Sequence, residues 1–383
     1  MSSVIDRSEA VSVLSELVRI PSVNPRMAAG EGEGPLAQAV ALRLRRLGLE
    51  PTLQDVEPGR PNVTVTLPGA GRSPHVLFEA HLDTVSPSEG QADPFRPRLE
   101  GDRLYGRGAC DTKASVAAML LALESVLGEP RRATLSFAFT MGEELGHEGV
   151  CHLLAGGFRA DAAVVGEPTG LDVIIAHKGV VRWRMVSTGR AAHSSNPGAG
   201  VNAIVKMAAV ISALELQLPP RLVAKAHPLL GPGTMSIGRI QGGLQVNVVP
   251  DRCAIEIDRR LLPGETWTDV QGEVRRVLDE LEARDSELRV EIETPYQDTP
   301  GLDTPANARI VQVAREAVRR LDGAHPVRGV AFCTDAAHLA AEGVPSVVLG
   351  PGRIEQAHTS GEYVEVQQVV KAAGIYREIM RQF

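Results

Sequence analysis

The sequence predicts an α/β protein in which a layered domain of sheet and helices carries a smaller inserted α+β domain. In the first half, apolar runs of strand length alternate with segments of helical periodicity, the pattern of an α/β layer. From about residue 179 to residue 290 a compact set of strands and helices follows, after which the α/β pattern resumes. The chain of 383 residues, 43% of them hydrophobic, is long enough for two cores. We therefore predict one domain from residues 1–178 and 291–383, with residues 179–290 inserted into it.

The elements of the first half follow from the spacing of their apolar residues. Apolar residues recur every three or four positions in three segments, which predicts helices at residues 11–18, 36–47 and 112–127. Gly48 and Gly128 stand where they would end the second and third of these helices. Short apolar runs predict strands at residues 62–67, 75–78, 133–139 and 162–165.

The inserted segment and the C-terminal part are assigned in the same way. In the insert, the pattern predicts strands at residues 180–186, 235–240 and 246–257, and helices at residues 201–214 and 266–281. The last part of the chain predicts a helix at residues 307–321, a strand at residues 346–349 and a C-terminal helix. We find no internal repeat and no low-complexity linker.

Composition and charge exclude several classes of protein. The net charge of −7 and the pI of about 5.9 leave no basic field for nucleic acid or an anionic membrane. The four cysteines are scattered without a CxxC pair, so neither a thiolate zinc site nor a disulfide framework is predicted. Residues 1–7 are charged early, and we expect no signal segment and no membrane-spanning helix. These features predict a cytoplasmic protein.

A histidine and an acid follow the strand at residues 75–78. The chain there reads Glu79-Ala80-His81-Leu82-Asp83, and on an extended backbone His81 and Asp83 point to the same side. His81 could bind a metal while Asp83 accepts its other ring N–H. Taken alone, the pair is also what a buried histidine hydrogen-bonded to an acid looks like.

A glycine-rich turn opens the helix at residue 112. The segment from Tyr105 to Lys113 contains Gly106 and Gly108, which suggests a dinucleotide-binding turn. Asp111, however, stands where a third glycine would have to let a pyrophosphate approach. A carboxylate in this turn is better suited to a metal, so the turn does not support a nicotinamide-dependent dehydrogenase.

Three further acidic or imidazole groups follow predicted strands. They are Glu143 with Glu144 after residue 139, Glu167 after residue 165, and His358 after residue 349. Together with His81 and Asp111 they offer two imidazoles and three carboxylates as ligands, because one acid of the Glu143–Glu144 pair can face the reacting water instead. This donor set suits zinc, cobalt or manganese better than magnesium or calcium. Two ions that share one carboxylate fit the count, with a water between them as the nucleophile.

These motifs, in this order, resemble a known family along essentially the whole chain. The family is that of the dinuclear zinc amidohydrolases, with acetylornithine deacetylase, succinyl-diaminopimelate desuccinylase, aminoacylase and carboxypeptidase G among its members. The resemblance implies a zinc-exopeptidase-like catalytic domain with a mixed central sheet flanked by helices. It also implies that His81 and Glu167 bind one metal, that Glu144 and His358 bind the other, and that Asp111 bridges both. Glu143 would be the general base and later the general acid, with Asp83 supporting His81.

The inserted domain resembles the lid and dimerisation domain of this family, which implies a homodimer. The segment Gly189-Arg-Ala-Ala-His193-Ser-Ser matches a motif whose histidine stabilises the oxyanion, often in the partner's site. A buried structural histidine is the alternative for His193. Asn247 and Arg260 match positions that hold the substrate carboxylate, a task suited to the bidentate guanidinium. Arg260 is preferred to Arg259 because Leu-Leu-Pro-Gly follows it.

Several segments are most similar to acetylornithine deacetylase, among them Glu167-Pro-Thr-Gly-Leu, Phe332-Cys-Thr-Asp-Ala336 and the run from Leu349 to His358. The leading expectation is therefore deacylation of a small N-acyl amino acid, with N-acetylornithine first and arginine biosynthesis as the pathway. A desuccinylase, or a dipeptidase or carboxypeptidase of the same family, stays open.

A few residues depart from the commoner family pattern. They are Met141-Gly142, Thr112 and Ala114, none of which is a candidate ligand. The departures leave the substrate open, because one scaffold can serve several substrates. A non-catalytic binding protein is a remote alternative, because all five ligands and Glu143 are present.

Overall fold

A computed structural model describes residues 5–70 and 74–383, which form two compact units. The first unit contains Met1–Ile175, Thr304–Arg328 and Thr334–Phe383, and the second contains Ala176–Asp303 and Gly329–Cys333. The prediction that no signal segment occupies residues 1–7 falls largely outside the described residues.

Helices and strands are distributed along the entire described chain. The first part of the chain contains α1 (Arg7–Val18), α2 (Gly34–Arg46), β1 (Thr52–Glu57), β2 (Arg60–Leu67), β3 (His75–His81), β4 (Arg98–Glu100), β5 (Arg103–Tyr105), α3 (Lys113–Ser125), β6 (Thr134–Thr140), α4 (Glu148–Ala155), β7 (Ala162–Val165) and β8 (Ile174–His177). The middle part contains β9 (Gly179–Thr188), α5 (Ala203–Val223), β10 (Thr234–Gly242), β11 (Arg252–Leu261), α6 (Trp267–Glu282), β12 (Val290–Ile292), β13 (Gln297–Thr299) and β14 (Leu302–Asp303). The last part contains α7 (Arg309–Leu321), β15 (Arg328–Val330), α8 (Ala336–Ala341), β16 (Ser346–Val348), β17 (Tyr363–Glu365) and α9 (Val366–Gln382).

The first unit is built on a mixed sheet in the strand order β1-β2-β6-β3-β7-β16-β8. Strands β6, β3, β7 and β16 run parallel to one another, whereas β1, β2 and β8 join antiparallel. The central strands β3, β6 and β7 are almost completely buried, as expected for apolar runs covered on both faces. The predicted α/β class with a mixed, helix-flanked sheet is confirmed.

The parallel strands bring the predicted chemistry to one edge of this sheet. Their carboxyl ends lie side by side, which is where open α/β sheets place their sites. His81 ends β3, Thr140 ends β6, Val165 ends β7 and Val348 ends β16. The polar segments that follow these strands therefore start from neighbouring points.

A small antiparallel sheet, β17-β5-β4, also belongs to the first unit. Tyr363 of β17 pairs with Tyr105 of β5, so the residue before β17 faces the residue after β5. These two residues are Glu362 and Gly106, and the Gly106 N–H donates to the Glu362 carbonyl at 3.1 Å. The chain that follows His358 is thereby attached to the glycine-rich turn.

The second unit has a sheet in the order β10-β11-β9-β12, with β13 also pairing with β9. Apolar residues of α5, α6, β9 and β11 form its own buried core, which includes Trp183. The division of the chain differs from the sequence prediction. Residues 176–178, 291–303 and 329–333, predicted to lie in the first domain, belong to the second unit. Within residues 291–303, β12 and β13 pair with β9 of that unit. The strand predicted from residue 246 begins only at Arg252.

Helix α5 is long and apolar enough to cross a membrane by length and composition, with a mean hydropathy of 1.3 over its best window. Length and composition alone do not identify a membrane span, so the prediction of no membrane-spanning helix stays a prediction. Six of its residues are buried at the three- and four-residue spacing of a core helix: Ala203, Met207, Val210, Leu214, Leu218 and Leu222. Two prolines, Pro219 and Pro220, lie inside its last turns. This pattern is the one expected of a helix that covers a core on one side.

Candidate metal centre

Three groups of potential metal ligands lie in the described part of the first unit, and two of them share one residue. Those two are His81, Asp111 and Glu167, and Asp111, Glu144 and His358; the third, which shares no residue with them, is Glu143, His147 and Asp335. Within each group, one ligand atom of every residue lies within 4.8 Å of the others. Two ions with a common carboxylate could therefore be held by the five side chains of the two groups that share Asp111, the donor set that suits zinc-type metals.

Asp111 stands between the two groups because its two oxygens point to different partners. Its Oδ1 atom lies 3.1 Å from Nε2 of His81, and its Oδ2 atom lies 3.1 Å from Nε2 of His358. Glu167 Oε1 is 3.7 Å from the His81 ring nitrogen, and Glu144 Oε2 is 3.1 Å from that of His358. This is the geometry of a bridging carboxylate with one imidazole and one terminal carboxylate on each side.

Glu143 belongs to neither of these two groups but lies at the edge of the first. Its Oε2 atom is 4.0 Å from Nε2 of His81. The preceding Gly142 has a φ of 79°, a left-handed conformation that glycine adopts without strain, and a short 3₁₀ turn begins at Glu143. In this turn the neighbouring side chains of Glu143 and Glu144 diverge, so the two acids can have different tasks.

Asp83 connects the histidine at the end of β3 to the turn that carries both glutamates. Its Oδ1 and Oδ2 atoms accept the backbone N–H groups of Glu143 and Glu144 at 3.0 and 3.1 Å. Nδ1 of His81 lies 3.3 Å from the Asp83 carboxylate and 3.0 Å from its backbone carbonyl. Asn24 donates to the same carboxylate at 2.9 Å. Either acceptor leaves Nε2 of His81 free to face a metal.

A buried polar network lies behind Glu143. His147, at the N-terminus of α4, places Nδ1 2.8 Å from Oδ1 of Asp335 and 3.8 Å from Oε1 of Glu143. The Thr140 hydroxyl lies 2.6 Å from Glu79 and 3.3 Å from Asp335. These contacts fill the side of Glu143 that faces away from the two ligand groups.

The pKa values in the cluster reflect the crowding of acids around two imidazoles. Burial lowers the pKa of His81, but Glu167, Asp111 and Asp83 raise it well above its ordinary value. Hydrogen bonds with Asp111 and Glu144 raise the pKa of His358 to about 10. Burial and the nearby Asp111 charge raise the pKa of Glu144 to about 7. Burial and Glu167 raise the pKa of Glu143 well above its usual range.

These shifts predict that metal binding releases protons. The raised pKa values of His358 and His81 favour their protonated forms in the metal-free cluster, and an imidazole must lose its proton to become a ligand. Because the ligating forms are the deprotonated ones, the apparent zinc affinity should rise with pH, by about tenfold per unit for each proton displaced. We expect at least one proton released per protein at pH 7, measured by calorimetry in buffers of different ionisation enthalpy. The exposed His152 serves as control, because the His152→Gln protein should release the same number of protons on zinc binding as the wild type. Equal affinity at pH 6 and pH 8 would contradict the prediction.

The other three predicted site residues lie in the second unit. His193 is exposed, with Nδ1 2.7 Å from the Ser195 hydroxyl, so the alternative of a buried structural histidine is not what the structure shows. The Asn247 carbonyl accepts the Ser194 N–H at 3.1 Å, which places Asn247 beside the His193 segment. Arg260 is partly exposed on β11 and pairs with Asp258 at 2.9 Å.

The buried carboxylate of Glu362 and the His147–Asp335 pair were not predicted as parts of the site. Glu362 is 1% exposed and receives backbone N–H groups of the turn that carries Asp111. Its signal in the sequence is weak, an acid four residues after His358 and directly before a strand. Asp335 lies in one of the segments that resemble acetylornithine deacetylase, but its contact with His147 is visible only in the three-dimensional structure.

Comparison with known proteins gives one family. The model of peptidase family M20/M25/M40 matches residues 77–382, a range that contains all five candidate ligands and Glu143. The acetylornithine deacetylase of Edwardsiella ictaluri is 31% identical over 380 residues, covering 97% of this chain and 97% of that protein. The acetylornithine deacetylase of Proteus mirabilis is also 31% identical, covering 97% of this chain and 96% of that protein.

Solved structures share the fold at lower identity. Aminopeptidase PepT from Bacillus cereus has a TM-score of 0.81 at 23% identity, with 99% of both chains covered. A dinuclear metal-binding peptidase of the M20 family from Bacillus subtilis has a TM-score of 0.75 at 19% identity, with 98% of both chains covered.

Proposed function

The chain belongs to peptidase family M20/M25/M40, and we propose that it removes the acyl group from a small N-acyl amino acid, with N-acetylornithine as the first candidate. The resemblance that the motifs predicted is thus confirmed at the level of the family, and the protein is a metal-dependent amide hydrolase. The observation that carries the proposed amide hydrolysis is the position of Asp111 between two ligand groups, with Glu143 beside the first. That arrangement suits the hydrolysis of a linear amide.

The five ligands fit two divalent ions, zinc first, with cobalt or manganese as alternatives. His81 and Glu167 would hold one ion, Glu144 and His358 the other, and Asp111 both. Bound there, two such ions would supply Lewis acidity toward the amide carbonyl and toward the attacking water. The family's dinuclear character and the absence of a cysteine from both groups support this assignment.

Glu143 is proposed as the group that moves the proton. It would accept a proton from the attacking water and pass it to the nitrogen of the leaving amine, so that the amide bond breaks as the acid and the amine form. Burial, together with the nearby Glu167 charge, raises the pKa of the Glu143 carboxyl well above its usual range, which makes it a stronger proton acceptor than an exposed glutamate. Asp83 supports it by holding the backbone N–H groups of Glu143 and Glu144.

Arg260, Asn247 and His193 are proposed to bind the substrate. Arg260 and Arg259 point to opposite faces of β11, and only Arg260 is accessible. Arg259 is 2% exposed and pairs with Glu265, so it is occupied within its own unit. Asp258 accepts Nε and Nη2 of Arg260 at 2.9 and 3.4 Å, so Arg260 could turn its Nη1 end to a substrate carboxylate. His193 is proposed to stabilise the oxyanion, in the same chain or in a partner chain.

The choice of acyl group rests on similarity in sequence. Relatives named acetylornithine deacetylase match over nearly the whole chain, which supports an acetyl group and an ornithine-like amine. A role in arginine biosynthesis and a cytoplasmic location stay predictions from the sequence. The structural neighbours include an aminopeptidase and a human carnosine dipeptidase, so dipeptide hydrolysis is the second candidate. Desuccinylation of succinyl-diaminopimelate is a third candidate, with the same chemistry.

A panel of amides tests the proposed function. Amine release is measured from N-acetyl amino acids, N-succinyl-diaminopimelate and dipeptides, with zinc-loaded and cobalt-loaded protein and a chelated control. We expect chelator-sensitive turnover with N-acetylornithine the best substrate, and much weaker turnover of its methyl ester, which lacks the carboxylate. Turnover of a dipeptide instead would keep the family chemistry and reject the deacetylase. If no amine is released from any substrate of the panel while two metals are bound, all three substrate classes are rejected.

We also propose that a second copy of the chain covers an apolar surface of the second unit. Strand β10 lies at one edge of its sheet, so the outer side of the strand has no partner within that sheet. Several large apolar side chains on or near it are more than half exposed: Ile240, Leu244, Val246 and Val205. Exposed apolar groups beside an open strand edge are typical of an interface. A homodimer through this surface would also suit an in-trans role for His193.

Ile240→Lys is expected to convert such a dimer to a monomer, because it places a charge on the open strand edge. Ile240 is 57% exposed, so the folded monomer should tolerate the lysine. The matched control is Leu99→Lys, on another exposed edge strand and 44% exposed, which should leave the dimer intact. Sedimentation at several protein concentrations gives the mass. A monomeric wild-type protein with full activity would reject both the dimer and His193 acting in trans.

A further inference from the structure

The glycine-rich turn between β5 and α3 encloses a carboxylate of the chain itself. Gly108 has a φ of 78°, and a Cβ atom there would lie 2.7 Å from Cγ2 of Thr84 and 3.2 Å from the Lys113 side chain. The turn is therefore held tight by a glycine, and its backbone N–H groups converge on Glu362. Successive backbone N–H groups in such a turn form a concave site for an anion.

Both oxygens of Glu362 are fully used in this turn. Oε1 accepts the backbone N–H groups of Cys110 and Asp111 at 2.9 and 3.1 Å. Oε2 accepts the Gly108 N–H at 3.0 Å and Nη1 of Arg107 at 2.6 Å. Glu362 and Arg107 are each 1% exposed, so these four donors stand in place of water. Charge-assisted hydrogen bonds of this kind are about twice as strong as neutral ones.

The same carboxylate connects the two ends of the metal centre. The donor nearest the site is the backbone N–H of Asp111, the residue shared by both ligand groups. Glu362 itself lies four residues after His358, and Nη2 of Arg107 contacts the intervening Thr359 carbonyl at 3.4 Å. The pairing of β17 with β5 brings these two segments together. Movement of Glu362 would therefore displace Asp111 and His358 together.

The buried ion pair of Glu362 and Arg107 is not well explained by a contribution to fold stability alone. Two charges taken out of water lose hydration, and a buried ion pair often stabilises a fold no better than apolar side chains of similar size. The geometry is instead that of a group that fixes ligands in place. Partners that orient metal ligands typically contribute about 10–100-fold to metal affinity.

We propose that Glu362 is a positioning residue, an internal anion that fills the glycine-rich turn and holds Asp111 and His358 in the arrangement that binds metal. The inference rests on the metal centre of the proposed function but not on its substrate. Glu362 touches neither the reacting groups nor the ligand atoms, so its effect must appear in metal affinity before it appears in catalysis.

The test compares Glu362→Gln with Glu355→Gln, a change at an exposed glutamate of the same segment. The amide keeps the size of Glu362 but turns an NH₂ group toward N–H donors. Zinc affinity is measured by competition with a chromophoric chelator, and unfolding of each metal-free protein is measured in parallel. We expect Glu362→Gln to bind zinc about 10–100-fold more weakly, with an altered cobalt absorption spectrum, and Glu355→Gln to match the wild type. Unchanged affinity and spectrum for Glu362→Gln would overturn the inference.

A second variant covers the case in which Glu362→Gln does not fold. Glu362 and Gly106 line a surface depression of about 720 Å³, so removal of the Glu362 side chain should open the turn to a small anion from that depression. In Glu362→Ala, added formate should occupy the turn and restore zinc affinity, with no effect on the wild type. A folded Glu362→Ala that formate does not rescue, or unfolding of both variants even with formate, would overturn the inference. A wild type that binds no metal would instead reject the metal centre of the proposed function.

Discussion

Replacing Glu143 with glutamine is expected to lower kcat by about 10²–10⁴-fold while two metal ions stay bound. The amide has the size of the carboxylate but cannot accept a proton from water. Glu143 belongs to neither of the two groups that share Asp111, so neither of these groups loses a donor. The turn should also keep its shape, because Asp83 holds its backbone N–H groups rather than the Glu143 side chain.

The measurement is kcat and KM on the best substrate of the panel, together with the metal content of the same sample. Glu342→Gln is the matched control, because Glu342 is half-exposed in the same unit and pairs only with Arg159 among the described ion pairs. An unaltered KM with the lowered kcat would agree with a group that acts in the transition state. A Glu143→Gln protein that retains wild-type turnover would reject its role as base.

Replacing His358 with alanine is expected to remove one of the two metal ions and to lower activity on the order of 10³-fold. The second ligand group loses its only imidazole and keeps Asp111 and Glu144, too few donors for a zinc-type ion in competition with water. The first group keeps all three of its members. The loss of activity corresponds to the several kcal/mol of charge stabilisation that one metal ion contributes.

His358→Asn separates the loss of the ligand from strain in the backbone. His358 has a φ of 57°, a conformation that asparagine adopts more readily than alanine does. Both variants should bind one ion per protein by elemental analysis after removal of excess metal. If both variants bind two ions as tightly as the wild type, His358 is not a ligand.

The layered fold and the candidate ligands could both be predicted from the sequence because the apolar runs that form the strands also locate the polar residues at the strand ends. Buried parallel strands have short, continuous apolar sequences, and their carboxyl ends meet at one edge of a sheet. His81 and Glu167 could be placed from this rule, since each follows such a run. The order of the motifs along the chain then identified the family.

Other features depend on contacts that no local pattern shows. The strand predicted from residue 246 begins at Arg252, and Val246 is fully exposed. The prediction was wrong there because apolar spacing alone does not show which residues are buried. Within residues 291–303, β12 and β13 pair with β9, a distant strand, and these residues lie in the second unit. The anion in the glycine-rich turn is 251 residues from the Asp111 N–H that it accepts.

The position of strand β16 has a consequence for how the chain folds while it is being synthesised. It lies between β7 and β8 in the main sheet, yet it is synthesised after the entire second unit. At about 5–20 residues per second, it follows β7 from the ribosome after on the order of 10 s. During this interval the edges of β7 and β8 that later pair with β16 stay unpaired. The segment that supplies His358 has also not been made. The nascent chain can complete the inserted unit first, but the main sheet closes only after β16 has been made. Until then the unpaired edges of β7 and β8 leave the unfinished chain open to aggregation.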